Sequence, residues 1–253
     1  MNSKKKPGNQ TKRNTEQKYS LTRKLIKFVF STFLVFVIFS FFIIALFRWI
    51  NPPITAFIQH SYQAEISNIF SNEVKKIRWV PVKNISKYMV LAVIASEDQK
   101  FPEHFGFDVV EIEKAIKEKI KGKKLRGAST ITQQVAKNLF LWSGKDFVRK
   151  ILESYYTVVI ELIWSKQRII EVYLNIAEFG PKLYGIENAA RKFYHKSAHM
   201  LNKYDAAMLS AVLPSPVRFS VLKPSSYVKE RQKWILTQMR KLGGLKYVEK
   251  ILE

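Results

Sequence analysis

The sequence contains no cysteine, and this absence excludes disulfide bonds, thiolate zinc sites, iron–sulfur clusters and cysteine nucleophiles. Glycine and proline are also scarce, at nine residues each in 253, which excludes a low-complexity chain. Acidic residues are few as well: 20 Asp and Glu stand against 43 Lys and Arg, giving a formal net charge of +23. Such an excess of positive charge implies a polyanionic partner, which is nucleic acid, an anionic membrane surface or a phosphorylated substrate.

One stretch lacks charge altogether. From Phe28 to Phe47 no charged residue occurs, and as a helix this run would rise about 30 Å, enough to cross the hydrocarbon core of a bilayer. A cleaved signal peptide would have a shorter apolar region followed by small residues, whereas Arg48, Trp49 and Ile50 follow here. The sequence therefore predicts an uncleaved transmembrane signal anchor over residues 28–50.

The charges flanking this anchor predict its orientation. Residues 1–27 carry nine Lys and Arg and one acid, which indicates a solvated, irregular basic tail on the cytoplasmic side. Residues 51–253 would then lie outside the cytoplasm, with 33 Lys and Arg against 19 acids. Genomic DNA and ribosomes are absent there, so phosphates carried on lipids are favoured over nucleic acid as the partner.

The outer part of the chain is predicted to be mainly α. Apolar residues recur at helical spacing in eight segments, separated by glycine and proline: 86–96, 108–120, 130–141, 147–164, 166–176, 184–194, 204–213 and 225–242. The only extended candidate is Lys76–Val82. We expect a connector over 51–84, helical or irregular after the membrane, followed by one compact domain over 85–253.

The first chemical candidate is the end of an apolar helix at Glu97 and Asp98, followed by Phe101, His104 and Gly106. A carboxylate here faces the negative end of the helix dipole, which is unfavourable unless another role requires it. Apolar turns before it and aromatic rings after it would desolvate Glu97 and raise its pKa, as a general base or acid needs. The alternative is an ordinary solvated helix end, and His104 alone is more typical of a structural hydrogen-bonding residue.

The second candidate begins with the Ser129 and Thr130 hydroxyls, where Thr130 and Gln133 fit a capping box. Pairs four residues apart then form a polar stripe without an acid, comprising Gln133, Gln134, Lys137 and Asn138. Such a stripe can bind a sugar pyrophosphate, with the ammonium neutralising charge and the amides holding hydroxyls. A solvated helix face is the alternative.

The third candidate places Arg149 and Lys150 on one helix face with Glu153. The default interpretation is a structural ion pair worth only ~0.3–0.5 kcal/mol. In the functional alternative the two cations bind phosphate, while Glu153 orients them or binds a metal.

A fourth segment carries Glu171, Tyr173 and Asn175 on a helix otherwise rich in Ile, Val and Leu. For these we favour a scaffolding role, in which buried polar groups pair and brace the site.

Taken in order and spacing, five segments resemble the motifs of the peptidoglycan glycosyltransferases, glycosyltransferase family 51, and particularly its monofunctional members. The segments are EDQKFPEHFGFD (97–108), GASTITQQVAKNLFL (127–141), RKILE (149–153), RIIEVYLNIAEFG (168–180) and GIENAARKFYHK (185–196). DAAMLSAVLPSPVRF (205–219) resembles the closing helix and loop of the family. The resemblance covers about 85–250, nearly the whole outer domain.

This resemblance implies roles for particular residues. It makes Glu97 the general base and Glu153 a second essential carboxylate. It assigns Lys137 and Arg149 to the donor pyrophosphate, and it places Gln133 and Gln134 along the same cleft. A divalent metal, Mg or Mn, is compatible with such a site, whereas no other cofactor is expected.

The resemblance also implies a fold and a reaction. The fold would be a lysozyme-like helical lobe with a small membrane-proximal jaw, here Val109–Arg126, whose basic end suits lipid headgroups. The reaction would join a growing undecaprenyl-pyrophosphate glycan to the GlcNAc 4-hydroxyl of lipid II, giving a β-1,4 linkage with inversion. The implied location is the bacterial inner membrane with a periplasmic catalytic domain, among other cell-wall synthesis proteins and without nucleic acid.

Bifunctional relatives carry a further transpeptidase domain with a serine motif SxxK and a downstream KTG. This sequence has SxxK at Ser3–Lys6 and Ser220–Lys223, but no KTG follows either, so we interpret both as chance matches. Glycan polymerisation without cross-linking is the expected activity.

Two other functions stay open at this point. A lytic, lysozyme-like enzyme would also be helical with one essential carboxylate, but it has little use for Lys137 and Arg149. A non-enzymatic, membrane-anchored protein that binds lipid would explain the charge but not five ordered motifs.

Overall fold

The computed structural model describes residues 8–53, 77–122, 129–144 and 146–252. Its contacts divide the chain into two units, with the boundary between Leu46 and Phe47. Most of the predicted connector, 54–76, lies outside the described residues, and so does part of the predicted jaw, 123–126. The proposed domain boundaries therefore stay predictions.

The first unit is a single long helix, α1 (Gly8–Phe47). It runs without interruption because no glycine or proline occurs between Asn9 and Phe47. The part from Leu21 to Phe47 is long and apolar enough to cross a membrane, with a mean hydropathy of 2.8, which is consistent with the predicted anchor. The expectation of an irregular tail is wrong for residues 8–27, which continue the same helix toward the N-terminus.

The second unit is mainly α, as predicted. Its helices are α2 (Lys87–Glu97), α3 (Val109–Ile120), α4 (Ile131–Phe140), α5 (Phe147–Ile163), α6 (Lys166–Ile176), α7 (Ile186–Tyr194), α8 (Lys203–Val212), α9 (Ser226–Lys241) and α10 (Leu245–Leu252). Short 3₁₀ turns occupy Val82–Asn84 and Ala198–Met200. All eight helices predicted for this unit are confirmed, and α10 is additional.

The extended segment lies elsewhere than predicted. Residues 77–81 form no strand, whereas β1 (Glu178–Gly180) pairs antiparallel with β2 (Leu183–Tyr184). Pro181 and Lys182 make the turn between them, with Lys182 in the left-handed region at φ 54°. Such a short strand pair leaves too few alternating residues for a periodicity signal, which explains why the pattern missed it.

The core of the unit is built around α2. Seven consecutive residues of this helix, Met89–Ala95, are buried, because α8, α9 and α10 all pack against it. A helix that is apolar on every face must be enclosed on every side. A second group of helices forms where α4 packs against α5 and α6. The candidate site lies where the end of α2 meets the first turn of α4.

Candidate active site

Glu97 is the last residue of α2, and its side chain is only 13% exposed. Gln134 donates from Nε2 to Glu97 Oε2 at 3.1 Å, and Arg231 lies with Nη2 3.4 Å from Oε1. Burial raises the pKa of Glu97, and the Gln134 and Arg231 contacts oppose this rise. The desolvation predicted for this carboxyl group is therefore confirmed.

Asp98 links the first two motifs. Its Oδ1 lies 2.8 Å from His104 Nε2, and its Oδ2 accepts a hydrogen bond from the backbone N–H of Ile131 at 3.0 Å. The carboxylate thus caps the N-terminus of α4, where negative charge is favourable. Asp98 and His104 hold the end of α2 against the start of α4, the structural role that the sequence favoured for His104.

Gly106 cannot be replaced without a clash. Its φ is +77°, and a Cβ added to it would lie 2.6 Å from Thr157 Cγ2. Its carbonyl accepts a hydrogen bond from Thr130 Oγ1 at 2.6 Å. The fully buried Phe101 lies under Lys166, whose Nζ is 4.7 Å from the ring centroid. The loop after Glu97 is therefore fixed by close packing.

The polar residues at the start of α4 divide into two groups. Thr130 and Gln133 are buried and form the predicted capping box, in which Gln133 Oε1 accepts from the Thr130 N–H at 3.0 Å. Both side chains are used in this cap, and their place among the substrate-binding residues stays a prediction. Ser129 is exposed, whereas Gln134, Lys137 and Asn138 of the predicted stripe are half-buried.

Glu153 lies in a second polar cluster, which we call the cation cluster and define as Lys137, Arg149, Lys150 and Glu153. Arg149 Nη1 lies 2.6 Å from Glu153 Oε2, and Lys150 contacts Oε1. The side chain of Glu153 is 4% exposed and that of Arg149 is 11% exposed. The ion pair of the default interpretation is therefore present, but it is largely buried and not a weak pair in solvent.

Lys137 belongs to this cluster because it interacts electrostatically with the other three residues. Burial lowers the pKa of Lys137, Glu153 opposes this, and Arg149 and Lys150 add to the lowering. Three cations therefore surround one buried carboxylate. The cluster carries an excess of positive charge in a partly desolvated place, where an anion would relieve the repulsion.

The donor set does not fit a resident divalent metal. Both oxygens of Glu153 already face cations, Arg149 on one and Lys150 on the other. Over the ranges 8–53, 77–122, 129–144 and 146–252, no three His, Asp or Glu side chains are grouped so as to hold a metal. We therefore derive no catalytic step through a metal bound by Glu153.

Helix α4 connects the two carboxylates. Gln134 donates a hydrogen bond to Glu97. Lys137, three residues later on the same helix, belongs to the cation cluster. One helical turn rises 5.4 Å, so the buried carboxylate and the excess of cations border the same stretch of α4. Tyr173 donates to Gln134 Oε1 at 3.3 Å and thereby orients the amide that holds Glu97.

The polar residues of α6 brace the segment before α2. Glu171 accepts from the backbone N–H of Val82 at 2.8 Å, and Asn175 exchanges two hydrogen bonds with the backbone of Val80. Asn175 is completely buried. These contacts have the scaffolding form predicted from the sequence.

Two features escaped the sequence analysis. Glu161 accepts hydrogen bonds from Thr132 at 2.6 Å and from Lys166 at 2.7 Å, which ties α4 to α5 and the start of α6. Glu161 and Lys166 are five residues apart across a helix boundary, a spacing that carries no pairing signal. The contact of Arg231 with Glu97 joins residues 134 positions apart, outside all five motifs.

Comparison with known proteins gives the family. The family model described as "Transglycosylase" matches residues 63–240. A protein from Salmonella arizonae named biosynthetic peptidoglycan transglycosylase is 49% identical over 224 residues, which cover 87% of this chain and 91% of that protein. A protein of the same name from Escherichia coli K12 is 56% identical over 172 residues, covering 68% and 71%.

The family match spans the end of the connector and all five motifs, including Glu97 and the cation cluster. It agrees with the mainly helical, lysozyme-like fold class that the resemblance implied. The chain therefore belongs to the transglycosylase family, and it is a glycosyltransferase enzyme.

Proposed function

We propose that this enzyme polymerises the glycan strands of peptidoglycan from lipid II. The donor is the growing glycan on undecaprenyl pyrophosphate, and the acceptor is the GlcNAc 4-hydroxyl of lipid II. One observation carries the proposal: a largely desolvated carboxylate, Glu97, and an excess of cations around Lys137 border the same helix, α4. The first suits deprotonation of a hydroxyl, and the second suits a pyrophosphate.

Glu97 is the general base in this mechanism. Its burial and raised pKa bring its basicity closer to the pH at which it must accept a proton. As the acceptor 4-oxygen bonds to the anomeric carbon of the donor, the hydroxyl proton passes to Glu97. Gln134 holds Oε2, so that the carboxylate presents a fixed face to the acceptor.

The cation cluster stabilises the leaving group. As the bond between the anomeric carbon and the pyrophosphate breaks, negative charge accumulates on the phosphate oxygens. Lys137, Arg149 and Lys150 are already held where their charge is only partly solvated, so little reorganisation is needed. A pyrophosphate leaves without protonation, and no separate general acid is required.

Glu153 organises this cluster and is not a nucleophile. Its two oxygens face Arg149 and Lys150, and a carboxylate held by two cations is a weak attacking group. The displacement is therefore direct and inverts the anomeric centre, turning an α-linked donor into a β-1,4 glycan.

The membrane supplies both substrates in this proposal. The N-terminal tail faces the cytoplasm, and the catalytic domain acts in the periplasm at the inner membrane. Helix α3 supports contact with membrane lipids in the predicted jaw, because it exposes large apolar side chains at Val109, Val110, Ile116 and Ile120. The activity would stop at glycan polymerisation, without transpeptidation.

The test incubates the full chain in detergent with fluorescent lipid II, and separately with finished peptidoglycan. We expect longer glycan strands from lipid II and no cleavage of finished peptidoglycan. Glu97→Gln should abolish strand growth, whereas Glu230→Gln, which removes an exposed carboxylate on α9, should leave it intact. Shortened peptidoglycan with no strand growth would favour the lytic alternative, and activity in Glu97→Gln would exclude Glu97 as the base.

A further inference from the structure

Arg231 is the charged residue of α9 that reaches the proposed base. Helix α9 packs against α2, and Arg231 lies with Nη2 3.4 Å from Glu97 Oε1. Its side chain is 20% exposed, and its buried Nε has no hydrogen-bond partner within the described part of the chain. None of the five motifs contains this residue. The arginine is thus largely withdrawn from water with Glu97 as its anionic contact.

The two oxygens of Glu97 are contacted from two different helices. Gln134 on α4 donates to Oε2, and Arg231 on α9 faces Oε1. Gln134 is itself held by Tyr173 from α6. The plane of the carboxylate is therefore defined by contacts from two different helices. A carboxylate oxygen has lone pairs beyond the one used by each donor, so both oxygens keep capacity for an acceptor hydroxyl.

Arg231 has a distinct effect on the pKa of Glu97. Burial disfavours the ionised form of Glu97 and raises its pKa, and Asp98 on the neighbouring position raises it further. Gln134 and Ser96 lower the pKa through neutral hydrogen bonds, whereas Arg231 lowers it as the one positive charge acting on Glu97 among the described residues. Without this charge, more of the carboxyl group would be protonated at neutral pH and unable to accept a proton.

We propose that Arg231 is a positioning residue for glycosyl transfer, which keeps the Glu97 carboxylate ionised and oriented toward the acceptor hydroxyl. The inference rests on the proposed function, because it requires Glu97 to be the general base. Arg231 acts on the reaction through Glu97, without itself contacting the reacting atoms.

A purely structural ion pair is the alternative. It would hold α9 against α2 and affect stability, but it would leave the pH dependence of turnover unchanged. The pH profile therefore separates the two roles.

The test measures kcat/KM for lipid II polymerisation against pH for Arg231→Gln, Arg231→Lys and the wild-type chain. The matched control is Lys233→Gln, which removes an exposed positive charge two residues away on α9. For Arg231→Gln we expect the acidic limb of the profile to move to higher pH by about one unit. The rate near neutral pH should fall, by up to about tenfold from this shift, and recover partly as the pH is raised.

Arg231→Lys should give a smaller shift in the same direction, because it keeps the charge on a side chain that lacks the guanidinium fork. Lys233→Gln should keep the wild-type profile. If Arg231→Gln does not fold, as judged by circular dichroism, Arg231→Lys decides: a displaced limb supports the proposal. An unmoved limb in the folded variants would overturn it, whatever the change in rate.

Glu97→Gln, assayed in parallel, separates this inference from the proposed function. If Glu97→Gln is inactive and the Arg231 variants keep the wild-type limb, only the role of Arg231 fails. If Glu97→Gln retains polymerisation, the assignment of the general base fails and the inference fails with it.

Discussion

Glu97 and Glu153 are both withdrawn from water, but their partners differ. Glu97 faces a neutral amide and a single guanidinium, whereas Glu153 faces Arg149 and Lys150 at close range. Burial dominates at the first carboxyl group and raises its pKa. The difference teaches that burial alone does not give a carboxylate its role: Glu97 meets a single cation and suits proton transfer, whereas Glu153 is held by two cations and organises a charged cluster.

The largest effect is expected from Glu97→Gln. Loss of a general base should lower kcat for lipid II polymerisation by about 10²-fold or more. The thermal stability of this variant should rise, because burial destabilises the ionised Glu97 carboxylate at pH 7. The control is Glu230→Gln.

The pH dependence of stability checks the same point. Because folding raises the pKa of Glu97, its contribution to stability is present at low pH and is lost as the pH rises through the folded pKa. The Tm of Glu97→Gln should therefore exceed that of the wild type at neutral pH, and the gap should narrow as the pH is lowered. A lower Tm at neutral pH would contradict the view that burial dominates at Glu97.

Glu153→Gln should give the opposite pattern in stability. Removing one partner of a buried pair typically costs about 3–5 kcal/mol, and we expect about 2 kcal/mol because Lys150 is 46% exposed. Lipid II polymerisation should fall at least tenfold as Arg149 and Lys150 lose their alignment.

Glu249→Gln is a suitable control, because it breaks an exposed pair with Lys87 and should cost less than about 1 kcal/mol. Full polymerisation by Glu153→Gln would show that Glu153 has only a structural role. Of the two carboxylates, Glu97 alone would then take part in the reaction.

Gly106→Ala is expected to have the smallest effect on lipid II polymerisation, although its effect on stability is larger. This glycine lies where the loop after Glu97 meets α5, which carries Glu153, so it joins the two carboxylate regions. A Cβ would clash with Thr157 and the backbone has positive φ, so the substitution should cost about 3 kcal/mol. Gly122→Ala has a similar φ of +74°, but a Cβ there would meet no atom of the described residues within 4 Å, and it should cost only about 1 kcal/mol. Equal thermal shifts in the two variants would contradict close packing at Gly106.

Much of this architecture could be predicted from local patterns. The helical spacing identified eight helices of the second unit, and the capping box at Thr130 is present as predicted. The i,i+3 and i,i+4 spacing placed Arg149 and Lys150 on Glu153. Each of these depends on residues within a few positions of one another, where helix geometry alone fixes the neighbours.

What could not be predicted depends on packing between distant segments. Arg231 is one of several cations in α9, and nothing in its own segment indicates which of them faces Glu97. Gln133 and Gln134 are adjacent and identical in type, yet one is buried in the cap and the other reaches the base. The direction of each side chain is decided by the orientation of α4 against α2, α5 and α6, which no local pattern encodes.

The enclosure of α2 has a dynamic consequence. Because seven consecutive residues, Met89–Ala95, are buried, we expect the amide hydrogens of this helix to exchange with solvent only when the whole unit opens. Helix α3, with its exposed apolar face, should exchange through smaller and more frequent openings. We therefore expect the proposed base to lie at the end of a slowly exchanging helix, where its carboxylate is held in place before the acceptor binds.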